Sequence, residues 1–213
     1  MKVFVVHYHK LTERKKAINE SLTHNNIQAE FVEHYDRDTL TPEDDVYFHN
    51  NYENMLSSHK AITLSHIYCY REIADKYEYA LILEDDAIFC DDFMSKLNNY
   101  MEQLPSDWDM LFIGDGCGFH IPDDVIKSSS SNIFRKCPEP TSWGGDGATR
   151  CTDSYIVSKK CAQGIIGYKE KIGRGVDWWL NQVIRDCKFN VYWAEPTLVT
   201  QGSQNSLYKT SWM

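Results

Sequence analysis

The chain has 213 residues, 42% hydrophobic and 25% charged, which are the proportions of a folded globular protein and argue against wholesale disorder. Its net charge of −9 argues against a nucleic-acid-binding surface or a polybasic membrane patch, and no stretch nears the ~18 apolar residues of a membrane span. It does not argue against a nucleotide, because one metal ion and a few Lys or Arg neutralise a diphosphate.

In chain order, residues 2–7 read as an apolar strand and too short an apolar run for a signal peptide. Thr12 is placed to cap a helix over about 13–25, with Ala17, Ile18 and Leu22 on one stripe. Residues 29–34 alternate as a second strand, and the polar, acidic stretch 36–53 reads as a long loop. A helix over 58–76 places Ile62, Ser65, His66, Cys69 and Ile73 on one face. The run from Tyr79 to Leu83 is a buried strand that stops at three carboxylates, Glu84, Asp85 and Asp86. A helix over about 91–104 ends before Pro105, and 109–114 is another buried strand, ending at Gly114-Asp115-Gly116. Residues 116–148 read as loop or irregular hairpin, 153–158 as a strand and 159–169 as a helix. A helix over 176–187 carries Asp177 in its first turn, and 189–194 is a last strand before an irregular tail. Alternating strands and helices without a repeat or linker predict an α/β sandwich with a mostly parallel sheet. Seven cysteines without a CxxC pair fit neither a disulfide framework nor a zinc site, so reduced thiols in a cytosolic compartment are expected.

Three adjacent anions at a strand end repel one another and call for a compensating positive charge. A divalent cation with oxygen ligands is the simplest candidate, and Mg²⁺ or Mn²⁺ suits one or two carboxylates plus substrate phosphates. Ligands in open α/β sheets bind beyond the carboxyl ends of strands, where this cluster falls. Asp177 opens a helix before Trp178 and Trp179. Apolar neighbours there would raise its pKa towards that of a general base, and an indole offers a face to a sugar. Asp153 and Asp115 are rival bases near the same edge. An acidic turn of solvated charges, and a helix-terminal acid favoured by the dipole, are the plain alternatives. A metal-dependent phosphoesterase or a catalytically silent sugar-binding module are the other functional readings.

Three segments resemble glycosyltransferase family 25, in order and in spacing. They are Leu64-Ser65-His66, then Ala80-Leu81-Ile82-Leu83-Glu84-Asp85-Asp86, then Thr152-Asp153-Ser154-Tyr155-Ile156-Val157-Ser158. Val3 to His7 with Arg14, and Glu195 to Gln201, are similar to that family's opening and closing segments; His7-Tyr8-His9 and residues 116–150 depart from its pattern. The resemblance implies a GT-A type (Rossmann-like) fold with a mixed, mostly parallel sheet flanked by helices. It implies a glycosyltransferase domain over 1–213, with a nucleotide-sugar half at about 1–115 and an acceptor half at about 116–213. The donor would be a UDP-sugar and the acceptor a glycan or glycoprotein. Mn²⁺ or Mg²⁺ would be held by Asp86 and Glu84, with Asp85 helping through ribose or water. His7, Tyr8, His9 and Arg14 would lie at the nucleotide edge, with Tyr8 or Tyr35 stacking on the base and Asp36 hydrogen-bonding it. Ser65 and His66 would lie near the diphosphate. The composition also suits one domain of a larger, viral glycosyltransferase acting in the host cytoplasm.

Overall fold

The computed structural model describes residues 1–49, 55–116, 118–139, 143 and 147–208. The main sheet has seven strands: β1 (Lys2–Val6), β2 (Glu30–Val32), β3 (Tyr79–Glu84), β5 (Met110–Phe112), β6 (Ile133–Lys136), β7 (Ser154–Ser158) and β8 (Val191–Ala194). Their order is β2-β1-β3-β7-β5-β8-β6. Strands β1, β2, β3, β5 and β8 run one way, while β7 and β6 run against them. The sheet is therefore mixed and mostly parallel in direction, as expected. A second, two-stranded sheet pairs β4 (Ala87–Phe89) with β9 (Val199–Gln201).

Helices cover both faces, which is why β3 reads as a continuous apolar run. Ala80 and Ile82 face a core shared with α2 (Ser57–Lys76), α5 (Lys159–Gly167) and α6 (Val176–Cys187). Leu81 and Leu83 face the opposite core, under α1 (Thr12–His24) and α3 (Phe93–Gln103). All four are fully buried, and Leu81, Ile82 and Leu83 each contribute about 1.5–3 kcal/mol of transfer free energy.

The structure departs from the sequence reading at several short elements. Thr12 is the first helical residue and not the cap, a position held by Leu11 without any side-chain bond. The stretch 116–148 holds helix α4 (Asp123–Lys127) as well as β6, and the 36–53 loop contains a 3₁₀ turn, Pro42–Tyr47; residues 50–53 of that loop lie outside the described residues. The tail after β8 is not wholly irregular, because β9 returns to pair with β4. No helix among the described residues is long and apolar enough to cross a membrane. Cys69, Cys90, Cys137, Cys161 and Cys187 are free thiols; Cys117 lies outside the described residues.

Candidate active site

The three acids after β3 face different surroundings. Asp85 is buried and faces α1, where its carboxylate meets His7 Nδ1 at 2.7 Å and accepts from Arg14 Nη1 at 2.9 Å. Arg14 is itself buried and so is not a solvated helix charge. Asp86 turns towards the segment after β9. Its Oδ2 accepts the Ser203 amide at 3.1 Å and its carbonyl accepts the Gly202 amide at 2.8 Å. Its Oδ1 is buried without a hydrogen-bond partner. Glu84 accepts from the Thr152 hydroxyl at 3.2 Å and lies 3.8 Å from His66 Nε2. Burial, then the charges of Asp86 and Asp85, push the Glu84 carboxyl up to about 8.

Glu84 belongs to a longer row of carboxylates. Asp115 follows β5, Asp153 precedes β7 and Asp177 opens α6, and each has a buried Oδ1 with no partner. Burial comes first in raising all three; Glu84 adds to the effect on Asp153 and Asp177, and Asp86 to that on Asp115. Asp177 reaches about 6, with Thr152 as a hydrogen-bond partner that offsets part of the rise. The sequence separates Asp177 from Glu84 by 93 positions, yet the fold makes them electrostatic neighbours. Asp153 is fully buried, its Oδ2 accepting from Ser154 Oγ at 2.9 Å, whereas Asp115 and Asp177 keep some exposed surface. Burial also lowers His66 to about 4, so its imidazole is neutral near pH 7.

Beside this row lies a small, partly open cleft of about 70 Å³. His7, Tyr8 and Arg14 line it from the β1 side, Tyr35 and Arg37 from the loop after β2, and Ser65 from α2; Glu84 and Asp85 are at its inner end. His9 and Asp36, one position along from Tyr8 and Tyr35, pair with each other, and Asp36 Oδ1 also accepts the Asp38 amide at 2.9 Å. The Arg37 guanidinium sits 4.1 Å from the Tyr8 ring centre, and Tyr8 donates to Asp38 at 2.8 Å.

The donor set fits a divalent cation of the Mg²⁺ or Mn²⁺ kind. Among the described residues no three His, Cys, Asp or Glu side chains form a ready-made cage. Such ions need only one or two carboxylates when phosphate oxygens complete the shell. Asp86 Oδ1 is an unpartnered oxygen in a cluster whose charges destabilise one another.

Sequence reasoning missed Thr152, Arg37, Ser203 and Arg150. Thr152 stands inside the quoted Thr-Asp-Ser-Tyr stretch, and Arg37 is a lone cation in an acidic loop, so both left a trace. Ser203 acts through its backbone amide, which no side chain announces. Buried Arg150 donates to the carbonyls of Phe119 and Ala194 at 2.6 and 2.8 Å and pairs with Glu195. It braces the loop beside Asp115 against the end of β8.

The family profile described as glycosyltransferase family 25 (LPS biosynthesis protein) matches residues 1–180. The chain belongs to glycosyltransferase family 25. Family membership sets the phosphoesterase reading aside, and the observed sheet is mixed and mostly parallel with helices on both faces, as the resemblance implies. A protein of Acanthamoeba polyphaga mimivirus named "Putative glycosyltransferase" is 30% identical over 137 residues, or 60% of this chain. That match spans 40% of the viral relative's length. Among solved structures, the catalytic domain of Drosophila β1,4-galactosyltransferase 7 bound to xylobiose covers all of this chain and 74% of its own, at 14% identity and a TM-score of 0.49. Mouse xyloside xylosyltransferase 1 covers 89% of this chain and 71% of its own, at 12% identity and a TM-score of 0.42.

Proposed function

We propose that this family 25 enzyme transfers a sugar from a UDP-sugar to a hydroxyl of a glycan or glycoprotein, with Mn²⁺ or Mg²⁺ as cofactor. The observation that carries the reading is the carboxylate row at the end of β3, opening beside a cleft lined by His7, Tyr8, Tyr35 and Ser65. Residues 1–115 supply the donor half, and residues from 116 onwards the acceptor half. Asp86 and Glu84 would hold the cation, Glu84 in its ionised form. Bound there, a divalent ion supplies Lewis-acid stabilisation of the charge that grows on the leaving diphosphate.

Tyr8 and Tyr35, with Arg37, hold the nucleoside end, and His7 and Arg14 fix Asp85 so that the turn after β3 keeps its shape. Asp177 takes the proton of the acceptor hydroxyl, because its raised pKa of about 6 lies close to neutral operating pH. Asp153 has no exposed surface from which to do this. Trp178, 57% exposed and adjacent to Asp177, offers an indole face to an acceptor sugar. The cysteine pattern supports a cytoplasmic place of action.

The test is a panel of nucleotide sugars screened by thermal shift with Mn²⁺ and with excess EDTA, since a ligand that binds only the native state raises Tm. UDP and one UDP-sugar are expected to stabilise the chain in Mn²⁺ only. Asp86→Ala is expected to abolish that shift without unfolding the protein, and tight UDP binding in EDTA would refute the metal-held diphosphate.

A further inference from the structure

Behind Glu84 lies a line of hydrogen bonds that the proposed reaction does not use. Tyr70 Oη and Tyr155 Oη are 2.6 Å apart, and Tyr155 Oη is 2.7 Å from His66 Nδ1. His66 Nε2 then faces Glu84 Oε1 at 3.8 Å. His66, Tyr70 and Tyr155 are all fully buried, and Tyr155 is stacked between the rings of Phe112 and His66, at 5.4 and 5.8 Å. Water has no ready access to repair a misdirected proton in such a line.

We infer that His66 is a positioning residue, locked by Tyr155 and Tyr70 in the tautomer that carries its proton on Nε2 and points that proton at Glu84. Two proton directions are possible along the line. In one, Tyr70 donates to Tyr155, Tyr155 donates to His66 Nδ1, and His66 Nε2 bears the hydrogen. Both tyrosine hydroxyls then have an acceptor, and the Nε2–H, which has no hydrogen-bond partner at this distance, aims at Glu84 Oε1, the oxygen that accepts from Thr152. In the other, His66 Nδ1 donates to Tyr155 and Tyr155 donates to Tyr70. The Tyr70 hydroxyl hydrogen is then left without an acceptor, because among the described residues its hydrogen bond runs to Tyr155 alone. The Nε2 lone pair would also face the oxygens of Glu84. Burial makes an unmade hydrogen bond costly, so the first direction wins.

The consequence rests on the reading of Glu84 as part of the donor site. An Nε2–H aimed at Glu84 orients its carboxylate towards Asp86, as outer groups orient metal-binding carboxylates in general.

The tautomer is readable without any ligand. In ¹⁵N-labelled, cation-free protein near pH 7, two-bond ¹H–¹⁵N spectra are expected to show His66 with a protonated Nε2 and a bare Nδ1. His66→Gln assigns the signals by their loss. A proton on Nδ1, or a rapid mixture of tautomers, would overturn the lock. Tyr155→Phe is expected to release the tautomer into a mixture and to weaken Mn²⁺-dependent UDP binding by roughly 10–100-fold, the usual scale for an outer-shell partner. Tyr70→Phe, which leaves Tyr155 donating, is expected to keep the tautomer. His66→Gln, whose amide offers a donor near the Nε2 position, is expected to bind Mn²⁺–UDP more tightly than His66→Leu. A purely structural role would leave the tautomer of Tyr155→Phe unchanged and the two His66 variants alike, and that result refutes the inference. If the wild type shows the lock but binds no Mn²⁺–UDP, the donor-site reading fails and the lock stands.

Discussion

Glu84, Asp85 and Asp86 are consecutive and chemically alike, yet their surroundings give them different work. Asp85 is paired with Arg14 and hydrogen-bonded to His7, Asp86 keeps a bare oxygen, and Glu84 is pressed by burial and its neighbours towards the protonated form. The last of these has a pH signature. The folded chain holds a proton on Glu84 up to about 8, whereas the unfolded chain releases it near the ordinary 4.5. The stability gained is therefore complete below about 4.5 and is lost as pH rises through 8. Glu84 keeps 21% of its side chain exposed, which reduces the effect, so the loss is expected to be about 1–3 kcal/mol. Urea unfolding in EDTA at pH 5 and pH 8.5 measures it together with the like-signed contributions of Asp115, Asp153 and Asp177, and Glu84→Gln is expected to make the slope shallower than in the wild type. Asp177 makes a different kind of prediction. Asp177→Asn is expected to keep the UDP-sugar dissociation constant within a few-fold and to lower transfer by roughly 10²–10⁴, the scale of lost general-base catalysis. The same change at Asp153 or Asp115 is expected to cost less. A matching loss of donor affinity would move Asp177 to the donor pocket.

At the scale of elements, the carboxylate row depends on how tightly strand ends approach one another. The amides of Ile113 and Gly114, just after β5, donate to the Ser154 carbonyl, which brings residue 114 against Asp153. A Cβ on Gly114 would stand 1.9 Å from Asp153 Oδ2 and 2.3 Å from Ser154 Oγ, so only glycine fits. Gly114→Ala is expected to destabilise the fold by about 1–3 kcal/mol, as overpacking in a filled core does. Chemical denaturation checks the value. The penalty should shrink in an Asp153→Ala background, where the opposing carboxylate is gone. β4 and β9 show the other side of element-scale reading. Each is three residues long and pairs with a partner about 110 positions away, in the register Ala87 to Gln201. No periodicity can show in three residues, so this pair was not legible in the chain. It nevertheless places Gly202 and Ser203 against Asp86.

For the molecule as a whole, legibility followed the length of the apolar pattern. The strands at Lys2–Val6 and Tyr79–Glu84 and the long helices announced themselves because two helical layers bury both faces of the sheet. Among the candidate residues, those carried by a strand end or a helix start were readable from sequence, since chain order fixes their edge of the sheet. Arg150 was not, because its partners come from two distant segments, at Phe119 and at Ala194–Glu195, and only the folded chain brings them together. Arg150 is fully buried, the Glu195 side chain is 6% exposed, and the pair ties the loop at Phe119 to the end of β8. Removing one charge leaves the other uncompensated in the interior, so Glu195→Gln or Arg150→Met alone is expected to cost about 3–5 kcal/mol. At this chain length that is a fall in Tm of roughly 6–20 °C. Replacing both together removes two desolvation penalties at once, as happens when buried ion pairs are exchanged for apolar groups. The double variant Arg150→Met/Glu195→Leu is therefore expected to be more stable than either single variant, and a double-mutant cycle from thermal melts measures the coupling. Additive losses would mean that Arg150 acts through its bonds to the two carbonyls and not through its charge.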